Sequence, residues 1–208
     1  MRQQATEMKL RILSLFLTLP WLAQGEEVLV EAESFENHGG WKLDTQFIQV
    51  MGSPYLLAHG LGNPVDDATT TVTFPKPGTY TFWVRTKNWI EKFGEEIETS
   101  SPPGLFQIAI DGDLQDPIFG KTGVDWLWEK GGSVSIDATE VEISLKDLTG
   151  FNGRLDAILF SSNPDFTPDN SSETLPRWRR AMLGVDTEII EEGPFDLVFI
   201  GGGYSGAC

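Results

Sequence analysis

The sequence predicts an all-β protein with a jelly-roll-like antiparallel β-sandwich, and two observations support this fold class. Residues 26–162 consist of short runs with alternating or continuous apolar character, which is typical of strands buried on one or both faces. Clusters of Gly, Pro, Asn and Asp separate these runs, and helical periodicity is almost absent. We therefore assign residues 26–162 to one β-sandwich domain.

Seven runs in this domain are predicted as strands. They cover residues 27–33, 69–74, 79–86, 105–110, 132–136, 140–146 and 154–160. Pro75 and Pro77 lie between the second and third runs, where the missing amide N–H of proline does no harm. Asp111 and Gly112 predict a hairpin turn directly after the fourth run.

The run 79–86 is predicted to be a central strand of the sandwich. Its side chains alternate between two faces, so Tyr80, Phe82 and Val84 lie together on one of them. This face is apolar and aromatic, and we expect it to point into the core.

The N-terminus has the organisation of a secretory signal peptide. Lys9 and Arg11 precede an apolar run over residues 12–22, and small residues follow up to Gly25. The run is shorter than the roughly 20 residues that a transmembrane helix needs. We interpret residues 1–25 as a signal peptide and expect an exported, periplasmic or extracellular protein without a membrane anchor after cleavage. The alternative is a buried apolar N-terminal helix.

The composition is strongly acidic, with 15 Lys and Arg residues against 31 Asp and Glu residues and a formal net charge of -16. Signal cleavage removes Arg2, Lys9, Arg11 and Glu7, which leaves 12 basic and 30 acidic residues and a net charge of -18. This balance argues against nucleic-acid binding, because a phosphate backbone is bound by clustered Lys and Arg. The single cysteine cannot form an internal disulfide, so stability must come from an apolar core.

Residues 163–193 are predicted to be a linker that contains a short helix. The stretch from Asn163 to Ser172 is polar and carries two prolines, which is typical of a connection between domains. Residues 173–183 form the predicted helix. The basic residues of this helix are expected on its exposed side; they are Arg177, Arg179 and Arg180.

The last segment, residues 194–208, has the pattern of a dinucleotide-binding loop. An apolar run over 195–200 leads directly into a GxGxxG pattern formed by Gly201, Gly203 and Gly206. In such a loop the glycines permit the tight turn, the approach of a pyrophosphate and close helix packing. The alternative is a flexible glycine-rich tail.

This strand and loop resemble the opening of the FAD-binding Rossmann domain of flavoprotein oxidoreductases, in which an apolar run precedes GGGxSG. The resemblance implies that Gly201, Gly203 and Gly206 contact the FAD phosphates, and that the segment begins a truncated α/β domain. The residues that would choose between flavin and nicotinamide lie beyond position 208.

Residues 26–160 resemble the calcium-associated β-sandwich carbohydrate-binding modules. The similar segments are Val30-Glu31-Ala32-Glu33, the run from Pro77 to Arg85, and Arg154-Leu155-Asp156-Ala157-Ile158. The resemblance implies a structural calcium ion bound by Glu31, Glu33 and Asp156, and calcium does prefer carboxylate oxygens. Alternatively, these three carboxylates are solvent-exposed and hold no ion.

Tryptophans suggest where a sugar could bind. Trp126 and Trp128 are two residues apart, so they share one face if they lie in a strand, and Trp89 follows a strand end. Exposed indoles stack well against sugar rings. We therefore predict a carbohydrate-binding surface of Trp89, Trp126 and Trp128; the alternative is that they are core residues.

Together these features predict the N-terminal part of an exported FAD-dependent oxidoreductase with an accessory, carbohydrate-binding-like β-sandwich. The chain itself carries no complete catalytic site in this interpretation, because the flavin chemistry belongs to the part beyond the glycine loop. A second interpretation is a free-standing secreted carbohydrate-binding module without catalytic activity.

Overall fold

A computed structural model describes residues 26–88, 103–185 and 193–196. These residues form eleven strands, one 3-10 turn and two α-helices. The strands are β1 (Glu27–Glu31), β2 (Trp41–Asp44), β3 (Tyr55–His59), β4 (Ala68–Thr73), β5 (Gly78–Thr86), β6 (Phe106–Ile110), β7 (Asp113–Leu114), β8 (Leu127–Ile136), β9 (Glu140–Asp147), β10 (Phe151–Leu155) and β11 (Ala157–Ser161). The 3-10 turn is Ala32–Ser34, and the helices are α1 (Ile48–Met51) and α2 (Leu175–Met182).

The strands form three antiparallel sheets. The first sheet has the order β1-β11-β5-β8, the second has the order β4-β9-β6-β7, and the third has the order β10-β3-β2. Apolar side chains of all three sheets meet in one core. This arrangement confirms the predicted antiparallel β-sandwich.

Strand β5 confirms the prediction of a central strand. It lies between β11 and β8 in the first sheet. Tyr80, Phe82 and Val84 are buried in the main core, where Phe82 packs against Phe160 of β11 with ring centroids 5.9 Å apart. The predicted hairpin is also present, since β6 and β7 pair around Asp111 and Gly112.

The predicted last strand is divided in two by Asp156. Residues up to Leu155 belong to β10 in the third sheet, and residues from Ala157 onward belong to β11 in the first sheet. At the break, the backbone N–H of Asp156 donates to the Arg85 carbonyl, and the Asp156 carbonyl accepts from Ala32 N–H at 3.0 Å. The side chain of Asp156 therefore lies at the corner where the chain passes from one sheet to another.

Strands β2 and β3 were not predicted from the sequence. Each has only four or five residues. The side chains of β3 do not alternate between apolar and polar, and the alternation in β2 spans only four residues. They pair with each other, and β3 also pairs with β10. Their inward side chains, Trp41, Leu56 and Ala58, complete one end of the main core.

Residues 163–182, which belong to the segment predicted as a linker, pack against the sandwich. Phe166 packs edge-on against Trp83 with ring centroids 6.1 Å apart. The Asp169 carbonyl accepts a 3.0 Å hydrogen bond from the Trp128 indole, and Asn170 accepts one from Arg85. Residues 163–182 thus cover the outer face of the first sheet, whose inner face lines the core.

No helix within the described ranges is both long and apolar enough to cross a membrane.

Candidate functional site

A cluster of buried charges lies where β1, β5, the Asp156 corner and α2 meet. It contains two carboxylates, Glu31 and Asp156, and two guanidinium groups, Arg85 and Arg179. All four are at most 6% exposed, and Asp156 is fully buried. We call these four residues the charge cluster.

The carboxylates reach the cluster because the first and last strands pair as the sequence predicted. Glu31 lies opposite Ala157 in the antiparallel ladder between β1 and β11, and Ala32 is hydrogen-bonded to Asp156. Two of the three predicted calcium ligands are therefore neighbours. The third, Glu33, was expected on the same strand face as Glu31, but β1 ends at Glu31 and Glu33 lies in the 3-10 turn.

Arg179 binds both carboxylates of the cluster. Its Nε donates to Glu31 Oε1 at 2.8 Å, and its Nη2 donates to Glu31 Oε2. Its Nη1 donates to Asp156 Oδ2 at 2.9 Å. Burial alone would lower the pKa of Arg179, but hydrogen bonds and charges from Glu31 and Asp156 raise that pKa above its usual value. Arg179 is therefore permanently charged here.

Both carboxylate oxygens of Asp156 accept hydrogen bonds from neighbouring side chains. Besides Arg179 it accepts a hydrogen bond from Arg85 Nη1, and its Oδ1 accepts one from the Ser53 hydroxyl at 3.2 Å. Arg85 in turn lies over the Trp126 ring, 6.0 Å from its centroid. The prediction that Arg179 is exposed is wrong, because the guanidinium is needed to neutralise these buried carboxylates.

The residues as arranged do not fit a calcium ion. Calcium requires six to eight oxygen ligands with free lone pairs, whereas those of Glu31 and Asp156 accept hydrogen bonds from guanidinium groups. A guanidinium offers only N–H donors to its surroundings. Across the described ranges, no group of three or more His, Cys, Asp or Glu side chains is spaced to hold a metal ion. The calcium site stays a sequence-based prediction.

Glu33 lies beside the cluster with a carboxylate oxygen that is buried and has no hydrogen-bond partner. Burial raises the pKa of Glu33 to about 7, and the negative charges of Glu31 and Asp156 add to this rise. Since the unfolded-state pKa is near 4.5, the folded protein binds this proton more tightly than the unfolded chain. Stability from Glu33 is therefore present below pH 4.5 and is lost as the pH rises through 7.

We expect Glu33→Gln to stabilise the protein at pH 8 by about 1–2 kcal/mol, a value reduced for partial exposure, and to change little at pH 4.5. The neutral amide resembles the protonated carboxyl, so the variant avoids the cost of an ionised Glu33. Urea unfolding at both pH values measures the effect. The exposed Glu36→Gln is the matched control, and an equal gain in both variants at pH 8 would contradict this assignment.

The tryptophans predicted to bind sugar are not an open platform. Trp126 is 6% exposed and packs with Tyr55 and Phe47 in a second, small apolar cluster. Trp126 also precedes β8, so it does not share a strand face with Trp128. Trp128 is half-buried beneath Trp178 of α2, with ring centroids 6.2 Å apart. Trp126 is therefore a core residue, which was the alternative to a sugar-binding role.

A second cluster of buried polar side chains lies on the third sheet, at a place that no sequence pattern indicated. Burial raises the pKa of Tyr55 to about 12, and the nearby Asp44 carboxylate adds to the rise. Arg154 lies beside Tyr55, and burial lowers its pKa. The Arg154 Nη1 donates to the Asn152 carbonyl at 3.1 Å. The Tyr55 hydroxyl, the Arg154 Nε and the Asn152 amide nitrogen are buried without a hydrogen-bond partner in the described part of the chain. They could therefore donate hydrogen bonds to a polar ligand that reached them.

An open groove of about 320 Å³ runs between the edge strands β1 and β4. Its lining combines apolar and hydroxyl side chains with one carboxylate, including Val28, Val30, Ser34, Glu36, Thr71 and Thr73. This volume lies at the lower end of the range for small-molecule sites, and hydroxyl and carboxylate groups can bond sugar hydroxyls.

Several predicted sites lie outside the described residues. These are the signal peptide over 1–25, Trp89, and the glycine loop of Gly201, Gly203 and Gly206. The contacts predicted for them stay predictions.

Solved structures with a similar fold contain carbohydrate-binding modules. The Podospora anserina GH26-CBM35 β-(1,4)-mannanase has a TM-score of 0.50 and 18% identity, over 70% of this chain and 30% of the mannanase chain. A family 35 carbohydrate-binding module from Clostridium thermocellum has a TM-score of 0.49 and 19% identity, over 65% of this chain and 97% of the module. The CBM36-1 domain of a multidomain xylanase from the Trinervitermes trinervoides hindgut metagenome has a TM-score of 0.47 and 17% identity, over 66% of this chain and 98% of that domain.

No protein-family model and no curated protein matches the sequence. At 18% identity the mannanase match establishes the fold alone, and the chain spans less than a third of that protein. The described chain therefore contains a β-sandwich of the carbohydrate-binding-module type. The resemblance noted from its strands is confirmed at the level of the fold.

Proposed function

We propose that this β-sandwich is the accessory, carbohydrate-binding domain of an exported FAD-dependent oxidoreductase. The observation that carries the carbohydrate part is the fold, a sandwich shared with part of a mannanase that contains a carbohydrate-binding module. The signal-like N-terminus supports export, because extracellular polysaccharides are met only outside the cell. The GGGYSG pattern supports the flavin part.

The sugar would be held by hydrogen bonds and by stacking on exposed aromatic rings. Trp89 and the free part of Trp128 are the aromatic candidates, since Trp126 is too deeply buried to stack with a ligand. The groove between β1 and β4 is a second location, where Thr71 and Thr73 expose hydroxyl groups.

We expect the chain from residue 26 onward to bind at least one polysaccharide in a glycan panel, and Trp89→Ala and Trp128→Ala to weaken that binding about tenfold each, from the loss of one stacking contact. Isothermal titration measures the affinities, and melting temperatures verify folding. Phe195→Ala is the aromatic control, because Phe195 is 62% exposed and lies outside the sandwich.

Retention of no glycan would refute the carbohydrate function. Loss of binding in Thr71→Val, with the two tryptophan variants unaffected, would place the sugar in the groove.

The flavin part has a separate test in the parent DNA. A Rossmann domain requires a helix after the glycine loop and an acidic residue roughly 20 residues further on, which holds a ribose hydroxyl. We expect the reading frame after codon 208 to encode both. A frame that encodes neither would remove the oxidoreductase proposal and leave the sandwich unaffected.

The second candidate is a free-standing secreted carbohydrate-binding module. It is favoured by the docking of residues 163–182 on the sandwich, because this makes the sandwich and α2 one packed unit. Glycan binding by the chain, together with a stop codon directly after position 208, would support it.

A further inference from the structure

Two buried ion pairs of the sandwich are made by a residue that lies after it in the sequence. Arg179 belongs to α2, yet its partners Glu31 and Asp156 come from the first strand and from the corner before the last. Arg179 lies 148 residues after Glu31 and 23 residues after Asp156, yet it contacts both side chains. A guanidinium from outside the sheets is thus part of the sandwich interior.

The shape of the contact matches a guanidinium. One edge of the Arg179 group, formed by Nε and Nη2, faces the two oxygens of Glu31. The other edge, formed by Nη1 and Nη2, faces the carboxylate of Asp156, with Nη1 at 2.9 Å and 3.2 Å from its oxygens and Nη2 at 3.2 Å from Oδ1. Planar, bidentate pairing of this kind is specific to arginine, because an ammonium group is a point charge.

The charge balance of the cluster also requires Arg179. Without Arg179, the buried cluster would hold two carboxylates against Arg85 alone and carry an uncompensated negative charge. A lone buried ion is strongly destabilising. With Arg179 present, the charges of the four residues balance.

Helix α2 presents Arg179 through its own packing. Leu175 is 1% exposed and lies four residues before Arg179, so both project from the same helix face toward β1. Trp178 contacts Trp128 beside them. Arg177 and Arg180 lie on the exposed side of the helix.

We propose that Glu31 and Asp156 form a guanidinium-binding site whose ligand is Arg179, and that stable folding of the sandwich depends on this ligand instead of on a divalent cation. The chain that follows α2 consequently leaves from a fixed point on the sandwich surface.

Thermal unfolding of the chain from residue 26 onward tests the proposal. We expect the melting temperature to be the same in millimolar EDTA and millimolar calcium chloride. Arg179→Met should lower it by at least about 6 °C, and Arg177→Met, which removes an exposed charge from the same helix, by less than about 2 °C. A fall of the wild-type melting temperature in EDTA, or equal effects of the two substitutions, would overturn the proposal.

A small-molecule probe tests the specificity of the site. Arg179→Ala leaves a space beside both carboxylates, so millimolar methylguanidinium should raise the melting temperature of this variant and leave the wild-type value unchanged. Methylammonium is the control cation. A rise with calcium chloride and none with methylguanidinium would make this a metal site and overturn the proposal. If Arg179→Ala does not fold, Arg179→Lys replaces it, and a wild-type melting temperature in the lysine variant would contradict the requirement for a guanidinium.

Discussion

Deletion of residues 163–208 is expected to leave the sandwich unable to fold stably, although the sequence placed the end of the domain at residue 162. The deletion uncovers the outer face of the first sheet. Trp83 and Leu159 lie opposite each other on this face and are 5% and 0% exposed. Phe166 covers Trp83, and Trp178 covers Trp128 on the neighbouring strand. All of these contacts are lost together.

The size of the effect follows from the buried area. Burial of one large apolar side chain contributes about 1.5–3 kcal/mol. The burial of the three side chains that the deletion uncovers, Trp83, Leu159 and Trp128, therefore contributes roughly 5–9 kcal/mol. The total stability of a domain is only about 5–15 kcal/mol. Loss of Arg179 also leaves Glu31 without its ion-pair partner, which adds to the cost.

The comparison is between the chain 26–162 and the chain 26–185, which keeps α2. We expect cooperative thermal unfolding by circular dichroism for the longer chain only, and binding of a hydrophobic dye by the shorter chain. Equal melting temperatures for the two chains would show that residues 163–182 are a linker after all.

The strands were predictable where their side chains alternate or form continuous apolar runs. Strand β5 is the clearest case, because Tyr80, Phe82 and Val84 all reach the core as predicted. Its other face carries Trp83 and Arg85, which are also buried. A strand with two buried faces requires a layer on each side. That requirement could have identified the segment after residue 162 as the second layer.

Helix α2 was predicted, but its orientation was not. The prediction grouped its arginines on one exposed side because isolated charges are usually solvated. The spacing of Leu175, Trp178, Arg179 and Met182 is the i, i+3, i+4, i+7 pattern of a helix face that packs on a neighbour. Arg179 thus occupies a position on the packed face, and its carboxylate partners lie too far away in sequence to be recognised from a local pattern.

Asp156 shows the limit of the resemblance-based prediction. The pairing of the first and last strands brought it beside Glu31 as expected. The resemblance assigned that juxtaposition to calcium, because it concerned only residues 26–160. The residue that neutralises the carboxylates lies outside that range, in α2.

Asp156→Asn is expected to destabilise the protein by about 3–5 kcal/mol, because it removes one member of a buried ion network without changing its size. The substituted amide accepts through one oxygen only, and its NH₂ group faces the guanidinium groups of Arg85 and Arg179. The two arginines would share Glu31 as their one remaining carboxylate in the charge cluster. Asp165→Asn is the control, because it removes the same charge from an exposed position.

Urea unfolding measures the effect as a fall in the midpoint at constant slope. The double variant Asp156→Asn with Arg179→Met separates a network from two independent contacts. Because Arg179 binds Asp156 directly, its removal relieves part of the imbalance that Asp156→Asn creates, so the double variant should be more stable than the sum of the single changes predicts. Additive changes would show that the two residues stabilise the protein separately, and that the guanidinium of α2 does not depend on the Asp156 corner.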